Sequence, residues 1–230
     1  MLLLFDIDGT LLVGANHAHR DAIHEALRVV HGVTRPDRGG MAVAGRTDAD
    51  ITRGMLLTAG VSAHAIDARA DDVRIAACEA YARLVEDDLS ACVAPGIREL
   101  LARLAPREDT ILSLVTGNYE AIARLKLRAA GIGGFFARGQ GGFGSDHEAR
   151  AELPAIARRR AGGDVPWPRE RTLLIGDTPR DIACARADGV RVLAVATGPY
   201  DAAALTGADA VARDSRELGG LIDELLAPST

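Results

Sequence analysis

Lysine is almost missing from this chain. Among its 27 Lys and Arg residues a single one, Lys126, is lysine. The bias toward arginine, alongside much Ala and Gly, reads as base composition, and it makes the one lysine conspicuous. Cysteine is scarce too. Cys78, Cys92 and Cys184 are odd in number and widely spaced, so they fit neither a disulfide framework nor a zinc site. They read as reduced core residues of a cytoplasmic protein. No apolar run reaches the roughly 18 residues that span a bilayer, so no membrane partner is expected. Met1–Leu4 is too short for a signal peptide and lacks a basic leader. The net charge of −5 leaves no basic excess for a nucleic-acid partner. Repeats and low-complexity tracts are absent, and nothing in the sequence speaks to oligomeric state.

What is present is 230 residues, 48% hydrophobic, enough for one large domain or a domain with an insertion. Leu2-Leu3-Leu4-Phe5 is an apolar run that stops at Asp6-Ile7-Asp8-Gly9-Thr10. Three further runs end the same way. Residues 111–115 stop at Thr116-Gly117-Asn118, 172–175 at Gly176-Asp177-Thr178, and 191–195 at Ala196-Thr197-Gly198. A weaker run covers 208–211. Such runs suit parallel strands buried on both faces. Helical stripes alternate with them over 96–104, 119–130, 180–187 and 217–226, which points to an α/β fold with a doubly wound parallel sheet.

Residues 15 to about 92 break the alternation. Helical patterns run over 17–30, 48–59 and, as one long piece, 63–88, with no convincing strand. The segment reads as an all-helical insertion after the first strand. Gly14-Ala15-Asn16 and Ala94-Pro95-Gly96 are its candidate hinges. The run Arg158-Arg159-Arg160 reads as a solvated helix face.

In open α/β sheets, ligands bind beyond the carboxyl ends of the strands. If the strands are neighbours, Asp6, Asp8, Thr116, Asp177 and Asp181 converge there. Several carboxylates in one crevice repel unless a cation neutralises them. Oxygen ligands without a Cys/His cluster suit Mg²⁺ and phosphate oxygens, and disfavour zinc.

The three motifs in order, Asp6-Ile7-Asp8-Gly9-Thr10, the strand ending in Thr116, and Gly176-Asp177-Thr178-Pro179-Arg180-Asp181, resemble the haloacid dehalogenase superfamily. The resemblance covers essentially the whole chain. It implies a Rossmann-like catalytic core of residues 1–14 and 94–230 and a helical cap of residues 15–93, as in phosphoglycolate phosphatase-like members. It implies Asp6 as nucleophile and Asp8 as acid and base, with a pKa raised by the crowd of carboxylates. It implies Mg²⁺ held by Asp6, the backbone carbonyl of Asp8 and Asp177, with Asp181 behind them. Thr116, Gly117 and Asn118 would bind phosphoryl oxygens.

The superfamily also uses a cation beside the phosphoryl group, commonly a lysine in the stretch that here reads Ser145-Asp146-His147-Glu148-Ala149-Arg150, where no lysine stands. Lys126, on the helix after Thr116, is the favoured candidate, and Arg150 is the other. Arg46-Thr47 breaks two helical patterns and is the candidate specificity loop, with Thr47 as a helix cap and Arg46 turned to the crevice. The expected activity is hydrolysis of a small phosphorylated metabolite, phosphoglycolate among the candidates. The resemblance implies that Asp8 argues against a dehalogenase, that a cap without lysine closes phosphonatase chemistry, and that the mutases, which use a cap lysine and histidine, are disfavoured although His17, His19 and His24 stand near the first hinge. The alternatives are a β-phosphoglucomutase-like phosphomutase, a pyrophosphate-hydrolysing relative, and a non-catalytic binding module.

Overall fold

A computed structural model describes residues 1–227. Its sheet has six strands, β1 (Leu2–Phe5), β2 (Ile111–Thr116), β3 (Gly142–Phe143), β4 (Thr172–Gly176), β5 (Arg191–Val195) and β6 (Ala210–Ala212). Their order is β3-β2-β1-β4-β5-β6, and every pairing is parallel. Side chains alternate across a strand. Leu3 and Phe5 therefore join the core on one face, while Leu2 and Leu4 join a separate core on the other. Burial on both faces explains why β1 reads as an uninterrupted apolar run.

Helices α1 (His17–His31), α2 (Asp48–Thr58), α3 (Ala63–Ala68) and α4 (Ala70–Leu84) lie between β1 and β2 along the chain. No named strand falls among them, as expected. They share a third core of Ile23, Leu27, Met55, Leu56, Val73 and Tyr81, which reaches Tyr119 and Ile122 beside β2. The remaining helices are α5 (Ile97–Leu104), α6 (Glu120–Ala129), α7 (Leu153–Gly162), α8 (Pro179–Asp188) and α9 (Ser215–Leu226).

Three sequence expectations change. The single helix expected over 63–88 is two, broken at Arg69, whose φ of −125° leaves the helical region. The break lets Ile66 and Val73 enter the same core. Strand β3 was not expected, because Gly142-Phe143 sits in a glycine-rich stretch that reads as loop. A Cβ at Gly142 would stand 2.3 Å from the Leu153 carbonyl oxygen, so glycine is what lets α7 pack this close. The Arg158–Arg160 run is not a solvated face. Arg158 is buried and makes paired contacts with Asp188, Nε–Oδ2 2.7 Å and Nη2–Oδ1 2.9 Å. Arg160 pairs with Asp146, and only Arg159 is exposed.

Candidate active site

Register brings the strand ends together. Phe5 is level with Leu114 on one side and Ile175 on the other. Asp6, Thr116 and Asp177 therefore emerge at one edge of the sheet. The chain then turns over Gly9 at a φ of +93°, and a Cβ there would lie 2.1 Å from Asp177 Oδ2. Only glycine meets both demands.

Asp6, Asp177 and Asp181 form a buried group whose carboxylate oxygens lie within 4.8 Å of one another. Burial raises the Asp6 carboxyl to about 7, against the pull of Arg150 and with the push of Asp181 and Asp8. Burial likewise raises Asp177 to about 8, helped by Asp6 and Asp181. Asp177 Oδ1 accepts from the Thr10 hydroxyl at 3.1 Å, but its Oδ2 is buried with no hydrogen-bond partner. Asp181 has no spare oxygen of this kind. Its Oδ2 accepts from the Thr178 N–H and hydroxyl in a capping box at the start of α8, and its Oδ1 accepts from Arg150. It pairs with neither Arg180 nor Arg186.

Two cations divide the two motif aspartates. Arg150 Nη2 lies 3.0 Å from Asp6 Oδ1 while also holding Asp181. Lys126, 0% exposed, places Nζ 2.8 Å from both oxygens of Asp8. Asn118 Nδ2 donates to Asp8 Oδ2 at 2.8 Å and to Thr116 Oγ1 at 2.9 Å. The crowding expected to raise Asp8 is overruled. Burial pushes its carboxyl up, but Lys126, by charge and hydrogen bond, and Asn118, by hydrogen bond, pull it below the usual range.

Lys126 has further partners that the sequence did not pair with it. Nζ reaches Asn16 Oδ1 at 3.3 Å and His19 Nδ1 at 3.1 Å, and His19 Nε2 reaches Asp48 Oδ2 at 3.0 Å. An ammonium has no acceptor, so His19 Nδ1 accepts and its Nε2–H donates to Asp48. Asp48 Oδ2 also accepts from the Tyr119 N–H at 2.7 Å. The sequence placed His19 among the histidines near the first hinge, and the helical pattern of α1 puts it on the same side as Ile23 and Leu27, but neither showed that it would meet Lys126.

The 44–48 loop sits on the segments that follow β2, β3 and β4. Asp48 N–H donates to the Gly117 carbonyl at 2.8 Å, Thr47 Oγ1 to the Glu148 carbonyl at 2.6 Å, and Arg180 to the Ala44 carbonyl at 3.0 Å. Thr47 caps α2 by accepting from the Asp50 N–H at 3.1 Å and is buried. Arg46 lines a cavity of about 420 Å³ with Asp6, Asp8, Asp177, Thr116, Gly117, Asn118 and Arg150, while Thr47, Lys126 and Asp181 stand behind its wall.

The family model of haloacid dehalogenase-like hydrolases matches residues 3–186. A phosphoglycolate phosphatase of Mesorhizobium japonicum is 34% identical over 109 residues, 46% of this chain and 45% of that protein, so the match spans under half of the relative's length. A hydrolase structure from Pseudomonas syringae superposes with a TM-score of 0.66 at 22% identity, covering 98% of this chain and 99% of that one. A β-phosphoglucomutase structure from Clostridium difficile gives 0.67 at 16% identity, covering 97% and 95%. At these identities the solved structures speak for the fold alone. No described helix is long and apolar enough to cross a membrane.

Proposed function

The chain belongs to the haloacid dehalogenase-like hydrolase family, and on that premise we propose that it is a Mg²⁺-dependent phosphomonoesterase working through a phosphorylated Asp6. The observation that carries this reading is the division of the two aspartates. Asp6 and Asp177 face each other beside Arg150, while Asp8 is held apart by Lys126 and Asn118. One carboxylate is thus set up as a nucleophile, the other as an acid and base.

The donor set fits a hard cation. Asp177 Oδ2 is a buried carboxylate oxygen without a partner, and no thiol or imidazole joins the group. Asp6, Asp177 and the backbone carbonyl of Asp8 would hold Mg²⁺, with Asp181 fixing Arg150 behind them. The ion, when bound, neutralises the carboxylates and the phosphoryl oxygens. The helical 15–93 segment serves as the cap that excludes water.

The chemistry then belongs to the chain's own residues. An Asp6 oxygen attacks phosphorus, the ester oxygen leaves, and Asp8 gives that oxygen its proton. Phosphate charge beside Asp8 raises its proton affinity, so it takes up a proton before this step. In the second step Asp8 takes a proton from water, whose oxygen attacks phosphorus and frees inorganic phosphate and the Asp6 carboxylate. The Thr116 hydroxyl accepts from the Asn118 N–H and side-chain amide and keeps its own proton for a phosphoryl oxygen, alongside the Gly117 N–H, with the Asn118 N–H turning to the phosphoryl group when it is bound. Arg150 is the cation placed against the nucleophile. Lys126 acts on Asp8.

The test is turnover of p-nitrophenyl phosphate with Mg²⁺, followed by a panel of phosphate esters that includes phosphoglycolate, the substrate named for the relative. No phosphate release from any of them, with or without Mg²⁺, refutes the reading. Conversion of a hexose 1-phosphate without phosphate release would favour a mutase. A readout independent of activity is the melting temperature. Mg²⁺ at ~100 times its Kd stabilises by about 2.7 kcal/mol, roughly 5–10 °C for a chain of this size.

A further inference from the structure

Asp177 directly follows β4, and the strands on either side of β4, β1 and β5, each send a loop against it. The loop after β1 brings Thr10, whose hydroxyl donates to Asp177 Oδ1 at 3.1 Å, and Gly9. The loop after β5, Ala196-Thr197-Gly198-Pro199, brings Gly198. A Cβ on Gly198 would overlap Asp177 Oδ2 and would stand 2.6 Å from its Cγ. Unlike Gly9, Gly198 does not lie at positive φ. What calls for glycine here is space alone. Asp177 Oδ2 has no hydrogen-bond partner, so no donor fixes where it points. Gly9 on one side and Gly198 on the other are the walls that do.

The two loops are joined across the end of β4. The Thr197 hydroxyl donates to the Gly9 carbonyl at 2.6 Å. The Ala196 N–H donates to the Ala212 carbonyl of β6 at 2.9 Å, which anchors the loop where it leaves the sheet. Pro199, fixed in φ, limits how Gly198 can move aside. Thr197, Gly198 and Pro199 line the same cavity as Asp6 and Asp177.

We propose that Thr197 and Gly198 are positioning residues of the cation site: strapped to Gly9, the loop after β5 holds Asp177 in the orientation that presents Oδ2 to the ion. This rests on the reading of Asp177 as a Mg²⁺ ligand and adds to it two residues that carry no carboxylate. The physical reason is the strictness of Mg²⁺, which demands near-ideal octahedral geometry at about 2.0–2.1 Å. A carboxylate held by one hydrogen bond, to Oδ1, is free to swing its other oxygen unless a neighbour blocks the swing. Groups that orient a ligand are typically worth about 10–100-fold in metal affinity.

The experiment titrates MgCl₂ at constant ionic strength, without any phosphate ester, and follows the melting temperature of the parent, Gly198→Ala, Thr197→Val and Thr197→Ser. Gly198→Ala is expected to raise the Mg²⁺ Kd by about tenfold or more. Thr197→Val, which keeps the shape and loses the hydroxyl, raises it by less, and Thr197→Ser restores the parental Kd. A purely structural role would lower the Mg²⁺-free melting temperature and leave the Kd at the parental value, and that result overturns the inference. If Gly198→Ala does not fold, the Thr197 pair decides: equal Kd in Thr197→Val and the parent overturns the inference. Either result leaves Asp177 as a Mg²⁺ ligand in the parent. A parent that shows no Mg²⁺ shift removes the cation and this inference together, while phosphate release from p-nitrophenyl phosphate still decides the phosphomonoesterase reading by itself.

Discussion

Replacing Lys126 by methionine, Asp8 by asparagine, and then both isolates the ion pair that joins α6 to the loop after β1. The pair is short, with Nζ 2.8 Å from each Asp8 oxygen, and its cation is wholly buried. At that distance and an effective dielectric constant of about 20, the Coulomb attraction is roughly 6 kcal/mol. Desolvation of both groups takes back much of this. Removing one partner of a buried pair typically costs about 3–5 kcal/mol, because the other charge is left stranded. Asp8 keeps 22% of its side chain exposed, so the lower end applies. The expected coupling between the two substitutions is therefore about 3 kcal/mol. Lys126→Met alone should lower the melting temperature by roughly 6–12 °C. Urea unfolding of the four proteins measures the coupling, provided the m-value stays constant. A coupling below about 1 kcal/mol, the value of an exposed pair, would refute the assignment of Lys126 as the partner that holds Asp8. Lys126→Arg sharpens the point, since the wider guanidinium must enter a space already closed by Asp8, Asn16 and His19. Overpacking there should cost about 1–3 kcal/mol.

Asp6→Asn should lower kcat for p-nitrophenyl phosphate by about a thousandfold or more, and retained turnover would remove Asp6 as the nucleophile. Gly117→Ala places a Cβ 2.0 Å from the Arg46 carbonyl oxygen, a backbone atom with no rotamer to escape to. Lifting the 44–48 loop off the 116–118 loop by about an ångström should cost on the order of a hundredfold in kcat/KM, and parental kinetics would show that the two loops need not meet. Arg158→Leu leaves Asp188 buried with only Arg169 at 3.4 Å, so unfolding should lose about 3 kcal/mol, while Arg159→Leu stays within about 0.5 kcal/mol. Equal effects of the two substitutions in urea unfolding would contradict the buried position of Arg158.

Much of the site was legible because its residues are contiguous with the strands that present them. Asp6, Thr116 and Asp177 each follow an apolar run, and a parallel register aligns such strand ends without any further information. The partners of those residues were harder to read. The sequence weighed Lys126 against Arg150 as a single cation, and the structure gives each its own aspartate. One residue sits on α6 behind the cavity wall and the other in the turn before α7 on the cavity itself, against different aspartates. Arg158 was misread because three successive arginines look solvated, and nothing local shows that Asp188, 30 residues on, needs a buried partner. Gly142-Phe143 was missed for a related reason. A two-residue strand has no periodicity, and it exists only because Val115 and Thr116 lie beside it.

The sequence by itself determined the alternation of buried strands and helices, the helical interruption after β1, and the three strand ends that carry the aspartates and Thr116. These follow from local patterns of apolar residues and from where each pattern stops. The tertiary structure alone decided how the charges are shared. Burial lifts Asp6 and Asp177, while Lys126 draws Asp8 the other way. It also decided that His19 and Asp48 link Lys126 to α2. Charge interactions depend on distance and on exclusion of water, and both are fixed only when segments remote in the chain pack together.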